Sequence, residues 1–227
     1  MSLFRSRRVF DLVLAGCGLF IILTMIAMFF YPGGTMVDDS TVGYSFSHNF
    51  FSELGFLNAH GHPNPISAPL FIFALCLAGA GLGVFFLAFP RFFQSDRVAR
   101  WLAASGSIVG ILSAICFIGI AITPGDVNLD LHKDFVLWAF RLFPAAVLLY
   151  TVAMFRVEYP RRYAWVFIIF FILLVAYILL LEFGPDIKTY HGMVIQAVGQ
   201  KIIVYASITS IMIQAFGARR WLKISNR

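Results

Sequence analysis

The stretch F-D-L-V-L-A-G-C-G-L-F-I-I-L-T-M-I-A-M-F-F-Y, residues 10–31, decides the fold class. It matches the roughly 20 apolar residues that an α-helix needs to cross the ~30 Å hydrocarbon core of a bilayer. Arg5, Arg7 and Arg8 precede it, and Pro32-Gly33-Gly34 ends it. It is too long for a signal-peptide h-region and no A-x-A site follows it, so it reads as an uncleaved signal anchor. Five further runs of similar length follow, at residues 66–89, 100–122, 135–155, 163–181 and 192–215. Backbone groups in lipid must be satisfied within their own segment, so each run is a helix. The sequence therefore predicts an all-α fold: a polytopic membrane bundle of six transmembrane helices, forming one integral membrane domain over residues 1–227.

Composition agrees. Hydrophobic residues make up 60% of the chain and charged residues 12%, against about 25% charged in a soluble domain. The net charge of +6 does not point to nucleic acid, because the basic residues sit at the ends of apolar runs and form no continuous patch. Cys17, Cys76 and Cys116 each lie inside an apolar run with no C-x-x-C spacing and read as small packing residues. Gly79 and Gly83, and Gly106, Gly110 and Ala114, recur at intervals of four. That spacing gives the second and third helices faces that approach closely.

Basic residues set the orientation. Arg5, Arg7, Arg8, Arg91, Arg97, Arg100, Arg156, Arg161, Arg162, Arg219, Arg220, Lys223 and Arg227 fall on one side, and only Lys133 and Lys188 on the other. Both termini are expected in the cytoplasm and the protein in the cell membrane. The opposite side collects all five histidines, His48, His60, His62, His132 and His191, and most of the acids.

Residues 43–69, G-Y-S-F-S-H-N-F-F-S-E-L-G-F-L-N-A-H-G-H-P-N-P-I-S-A-P, form the outer loop between the first two runs. A helix over residues 45–54 places Ser45, Asn49, Ser52 and Glu53 on one side and Phe46, Phe50 and Leu54 on another. This is expected to be a re-entrant or interfacial helix ended by a left-handed Gly55. Arg141 and Lys201 lie within helices, about 10 Å and 14 Å from the outer ends at 1.5 Å per residue. Charges at such depth are paired or line a wet cavity. Asp134 or Glu53 is the expected partner of Arg141, with Glu182 also in reach. The candidate ligand-binding set is His48, Ser52, Glu53, Asp126, His132, Arg141, His191 and Lys201, arranged as an outward-facing polar pocket.

Three functional classes stay open. The first is a non-enzymatic protein that binds an anionic lipid headgroup or small ligand and needs no cofactor. The second is a metal-dependent lipid hydrolase or lipid-modifying enzyme, with zinc on His48, His132 and His191, since three histidines and an open position make a hydrolytic zinc site. No H-x-x-x-H or H-E-x-x-H pair supports it, and no nucleophile elbow supports a serine triad. The third is an ion-coupled transporter, which calls for paired discontinuous helices, whereas Pro144 is the one mid-helix breaker. The partner expected is membrane lipid, with no nucleic acid. A homo-oligomer or a partner subunit stays open.

The chain resembles a family of bacterial and archaeal six-helix membrane proteins of unknown function. Ser52-Glu53-Leu54-Gly55, followed by Pro63 and Pro69, is similar to that family's S-[DE]-L-G first outer loop. Pro124-Gly125-Asp126 with His132, and Gly199-Gln200-Lys201, stand where the family carries a P-x-D turn with a histidine and a glycine before a basic residue. A more distant likeness is to eukaryotic membrane proteins of the Frag1/DRAM/Sfk1 type. It implies a connection with lipid but supplies no reaction.

The charge bias yields a direct test of orientation. Single cysteines at Asn58 or Asn128 are expected to react with an impermeant maleimide added from outside, and one at Ser95 is expected to be spared. Labelling at Ser95 alone would reverse the topology.

Overall fold

A computed structural model describes residues 7–225, with side chains described through Lys223. Arg5 and Arg227, counted in the charge bias, lie outside the described residues. Six helices are long and apolar enough to cross a membrane: α1, Arg8–Phe29; α2, Ser67–Ala88; α3, Arg97–Ile122; α4, Leu129–Arg156; α5, Arg161–Phe183; and α6, Tyr190–Ser225. The chain is thus an all-α bundle, as its six apolar runs predict. The helices extend past the apolar runs at several ends because polar caps continue them. The Asp96 carboxylate accepts the Ala99 amide at 2.7 Å and starts α3. The Asn128 side-chain oxygen accepts the Leu131 amide at 3.1 Å and starts α4.

Each helix packs against its chain neighbours, and α6 returns to α1, so the bundle is a closed ring. Ion pairs mark one end of it. Arg156 at the end of α4 meets Asp96 at 2.9 Å, and Arg219 of α6 meets Asp11 of α1 at 2.8 Å. We call this the arginine end. The long α1–α2 connection, the α3–α4 turn and the α5–α6 turn lie at the other, the loop end.

The small residues of α2 and α3 do what their spacing implies. A Cβ on Gly79 would lie 2.7 Å from the Ile118 side chain and 3.1 Å from the Ala114 carbonyl oxygen. A Cβ on Gly110 would lie 2.4 Å from the Phe86 ring. The Ser107 hydroxyl, at 2.5 Å from the Phe86 carbonyl oxygen and 2.6 Å from the Tyr150 hydroxyl, ties α2, α3 and α4 together. The Ser113 hydroxyl donates to the Ala139 carbonyl at 2.9 Å. Toward the arginine end Phe86, Phe89, Phe93 and Tyr150 form a buried aromatic cluster. Pro144 is buried within α4, and the helix continues through it.

The contact at Gly79 is partly with backbone, which cannot move aside. Gly79→Ala is expected to destabilise the bundle by about 1–3 kcal/mol through overpacking. Gly81→Ala, whose added methyl meets nothing within 4 Å, is expected to be near neutral. Unfolding of the two variants in detergent tests the difference.

Candidate functional site

The α1–α2 connection is a folded roof over the loop end, and its shape follows from a few backbone necessities. Gly33 bridges back to Val42. Further on, β1 (Asn58–Ala59) and β2 (His62–Pro63) pair antiparallel, with Ala59 opposite His62. His60 and Gly61 are therefore the two central residues of a tight hairpin. Both have positive φ, 48° and 90°, as a type I′ turn requires. This turn swings the His60 ring back over the loop, and its Nε2 comes to 3.2 Å from Glu53 Oε2.

Residues 45–54 do not form one helix. A turn begins at Ser45, Phe50 is extended, and a 3₁₀ helix follows over Phe51–Gly55. The break has a local cause. The Asn49 side-chain oxygen accepts the Ser45 amide at 2.9 Å, while its amide nitrogen donates to the Gly34 carbonyl at 2.7 Å and to Glu53 Oε2 at 2.6 Å. A side chain used this way competes with helix propagation. Gly55 is not left-handed. Glycine is required there because a Cβ would lie 2.8 Å from the Phe71 ring. Phe51 and Leu54 are buried, whereas Phe46 is about half exposed. Phe51 packs its ring against Phe20, Phe71 and Tyr205.

Beneath the roof lies a buried polar cluster. Asn49 and Lys201 have no exposed surface and Glu53 has 2%. The Lys201 ammonium donates to the Asn49 carbonyl and, at 3.1 Å, to the Ala197 carbonyl. It also lies 5.4 Å and 5.2 Å from the ring centres of Tyr44 and Phe46. Glu53 acts on it electrostatically. The Tyr44 hydroxyl donates to the carbonyls of Asn49 and Phe50. Next to Lys201, Gln200 accepts the Phe51 amide at 2.6 Å. Asn64 and Ser67 donate to the Leu54 carbonyl, at 3.2 Å and 3.1 Å. Burial and the Glu53 carboxylate hold the Tyr31 hydroxyl well above its ordinary pKa.

Of the eight residues singled out in the sequence, the structure brings Glu53 and Lys201 into this cluster. Ser52 lies beside it but faces a central cavity, and its hydroxyl has no partner among the described residues. His48 bridges the Ser45 and Ser47 hydroxyls to the Tyr190 hydroxyl, at 2.8, 2.9 and 2.8 Å, and so clips the loop to the start of α6. Asp126 is exposed and accepts the Asn58 amide at 2.8 Å, which anchors the hairpin. His132 is buried and its Nδ1 lies 2.8 Å from the Thr123 carbonyl at the end of α3. His191 is exposed. Arg141 pairs with Glu182 of α5, with both side chains substantially exposed. Neither Asp134 nor Glu53 is its partner, because α4 turns it toward the neighbouring helix rather than the bundle centre. His48 and His132 serve separate contacts, His191 is exposed, and the three do not converge. Among the described residues no three metal-ligating side chains come together.

The cavity lies on the axis of the bundle and has an empty volume of about 780 Å³, counting the part open to its surroundings. All the helices except α5 contribute to its wall, which is built from residues such as Leu75, Phe117, Phe140, Val204 and Ile208. Phe51 and Ser52 close it at the loop end, where Gln200 also reaches it, and Ser207 and Cys17 lie along its length. No Asp, Glu, Lys, Arg or His lines it. The cluster and the cavity are thus neighbours separated by the 3₁₀ turn, with charges on one side and hydrocarbon on the other.

Contact with Glu53 raises the His60 pKa against an opposing effect of burial, and the charges of Glu53 and Asp39 add to the rise. The ring is close to the carboxylate but not aligned for a hydrogen bond, so the attraction is chiefly that of charge. A folded pKa above the ordinary value means that this stabilisation is complete below about pH 6.5 and is lost as pH rises through the raised value. Thermal unfolding in detergent is expected to show stability falling over that window. His60→Gln is expected to flatten the dependence, and an unchanged slope would remove His60 as its source.

No protein-family model matches the chain, and neither a curated protein nor a solved structure matches it.

Proposed function

We propose that this is a multi-pass membrane protein that holds a lipid hydrocarbon chain in the centre of its bundle, with the loop end facing away from the cytoplasm. The observation that carries the reading is the central apolar cavity with no charged side chain in its wall. Bundle interiors are close-packed, and an empty apolar space forfeits dispersion contacts on every side. A hydrocarbon chain restores them without leaving an apolar medium. The roof above the cavity is tied down by Gln200, Glu53, Asn64 and Ser67, which suits a closed end for such a chain.

This moves the lipid contact from where the sequence suggested it. An anionic headgroup held by Arg141 and Lys201 is not supported. Arg141 is engaged with Glu182 at the bundle's flank, and Lys201 is fully buried with its ammonium directed at two carbonyls. The zinc-dependent reading loses its three-histidine set for the reason given above. The resemblance to proteins that act around membrane lipid points in the same direction as the cavity.

Photo-crosslinking tests the reading. The protein is placed in nanodiscs containing a monoacylglycerol or a phosphatidylglycerol with a diazirine midway along its chain. Adducts are expected on Leu75, Phe117 or Val204 with at least one of the two probes. Ala78→Phe, which fills the cavity, is expected to reduce them at least about tenfold. Adducts confined to exposed positions such as Ile108 and Ile169 would contradict it.

A further inference from the structure

We infer that the chain held in the cavity ends, beside Ser52, in an uncharged oxygen: the hydroxyl of a long-chain alcohol, the ester of a monoacylglycerol, or a group of the same chemistry. This rests on the cavity being a lipid site and specifies what it takes.

The wall sets the charge. Two ionisable side chains, Glu53 and Lys201, are chain neighbours of the lining residues Ser52 and Gln200, yet both turn away. Glu53 faces Asn49 and His60, and Lys201 faces the carbonyls of Asn49 and Ala197. A carboxylate or phosphate inside the cavity would find no counter-charge in its wall, an unfavourable burial.

The unfilled hydrogen bond sets the polar end. Three side chains of the wall carry an oxygen. Gln200 is committed to the Phe51 amide at 2.6 Å and also meets the Tyr177 hydroxyl. Ser207 donates to the Ile203 carbonyl at 2.7 Å. The Ser52 hydroxyl alone has no partner among the described residues, and it stands at the loop end of the cavity. Polar groups facing apolar space find partners, and here the occupant is the one group placed to supply it.

The wall also sets the length. Gln200 and Ile211 of α6 both line the cavity, and they are about 16 Å apart along a helix rising 1.5 Å per residue. That is roughly half of the ~30 Å hydrocarbon thickness. An extended chain with ~1.5 Å bonds at ~111° fills it with about 13 carbons.

Competition against the diazirine monoacylglycerol, read as adducts on Val204 in nanodiscs, tests the inference. The competitors are 1-tetradecanol, 1-tetradecanoylglycerol, tetradecane and tetradecanoate. The alcohol or the ester is expected to compete at least about tenfold better than tetradecanoate or tetradecane. Ser52→Ala, which breaks no contact of the fold, is expected to bring the best of them down to the level of tetradecane. The inference is overturned if tetradecanoate competes as well as the uncharged compounds, or if Ser52→Ala leaves the ranking unchanged. In both cases persistent Val204 adducts keep the cavity as a lipid site. Absence of adducts on Leu75, Phe117 and Val204 with both diazirine lipids overturns both.

Discussion

A lysine ammonium removed from water must find oxygen atoms, and Lys201 finds its principal one in the backbone of a loop 152 residues away. A charge at the middle of a membrane helix costs at least about 2.5–3.5 kcal/mol, so the contact with the Asn49 carbonyl is a strong constraint on the α1–α2 connection. Much of the loop end depends on it. With its carbonyl fixed by Lys201, Asn49 places its side chain between the Ser45 amide, the Gly34 carbonyl and Glu53. Glu53, held by Asn49 on one side, faces His60 on the other. Gln200, next to Lys201 on α6, takes the Phe51 amide and seats the 3₁₀ turn. The loop is thus a folded element of the bundle.

The roof divides two environments within one turn of chain. Glu53 points into a cluster of buried polar side chains, where it accepts from Asn49 and faces His60, while Ser52 lines a space bounded by phenylalanine, leucine, valine and isoleucine. The division keeps the buried lysine and the buried glutamate on the other side of the 3₁₀ turn from the apolar cavity.

The six helices were legible because the bilayer imposes both length and composition on every span. Runs such as residues 10–31 and 163–181 admit no other reading at 60% hydrophobic content. The importance of Glu53 and Lys201 was legible because ionised residues among apolar ones are costly. The pairing of Arg141 was not. Asp134 shares its helix face, but the choice between Asp134 and Glu182 is set by how α4 rotates against α5, which depends on packing along the whole helix pair. Asn49 and His60 were missed as members of the cluster for related reasons. Asn49 acts through both its side chain and its backbone carbonyl, and no pattern marks the latter. His60 reaches Glu53 by way of the hairpin. The H-G-H-P segment, read as a turn with positive φ at His60-Gly61, carried that signal. The continuous helix expected over residues 45–54 fails for the same reason, since the Asn49 side chain takes the Ser45 amide. The cavity had no sequence signal, because its walls come from five helices and the loop.

The central claim is that Lys201 holds the roof in place. Amide hydrogen exchange over residues 45–55, compared between the native protein and Lys201→Met in the same detergent, tests it most directly. The account predicts slow exchange at the Asn49, Phe51 and Glu53 amides in the native protein. In the variant it predicts a selective loss of that protection, with the helices α2 to α5 unchanged. Fast exchange throughout the segment in the native protein, or equal protection in the two proteins, would contradict it.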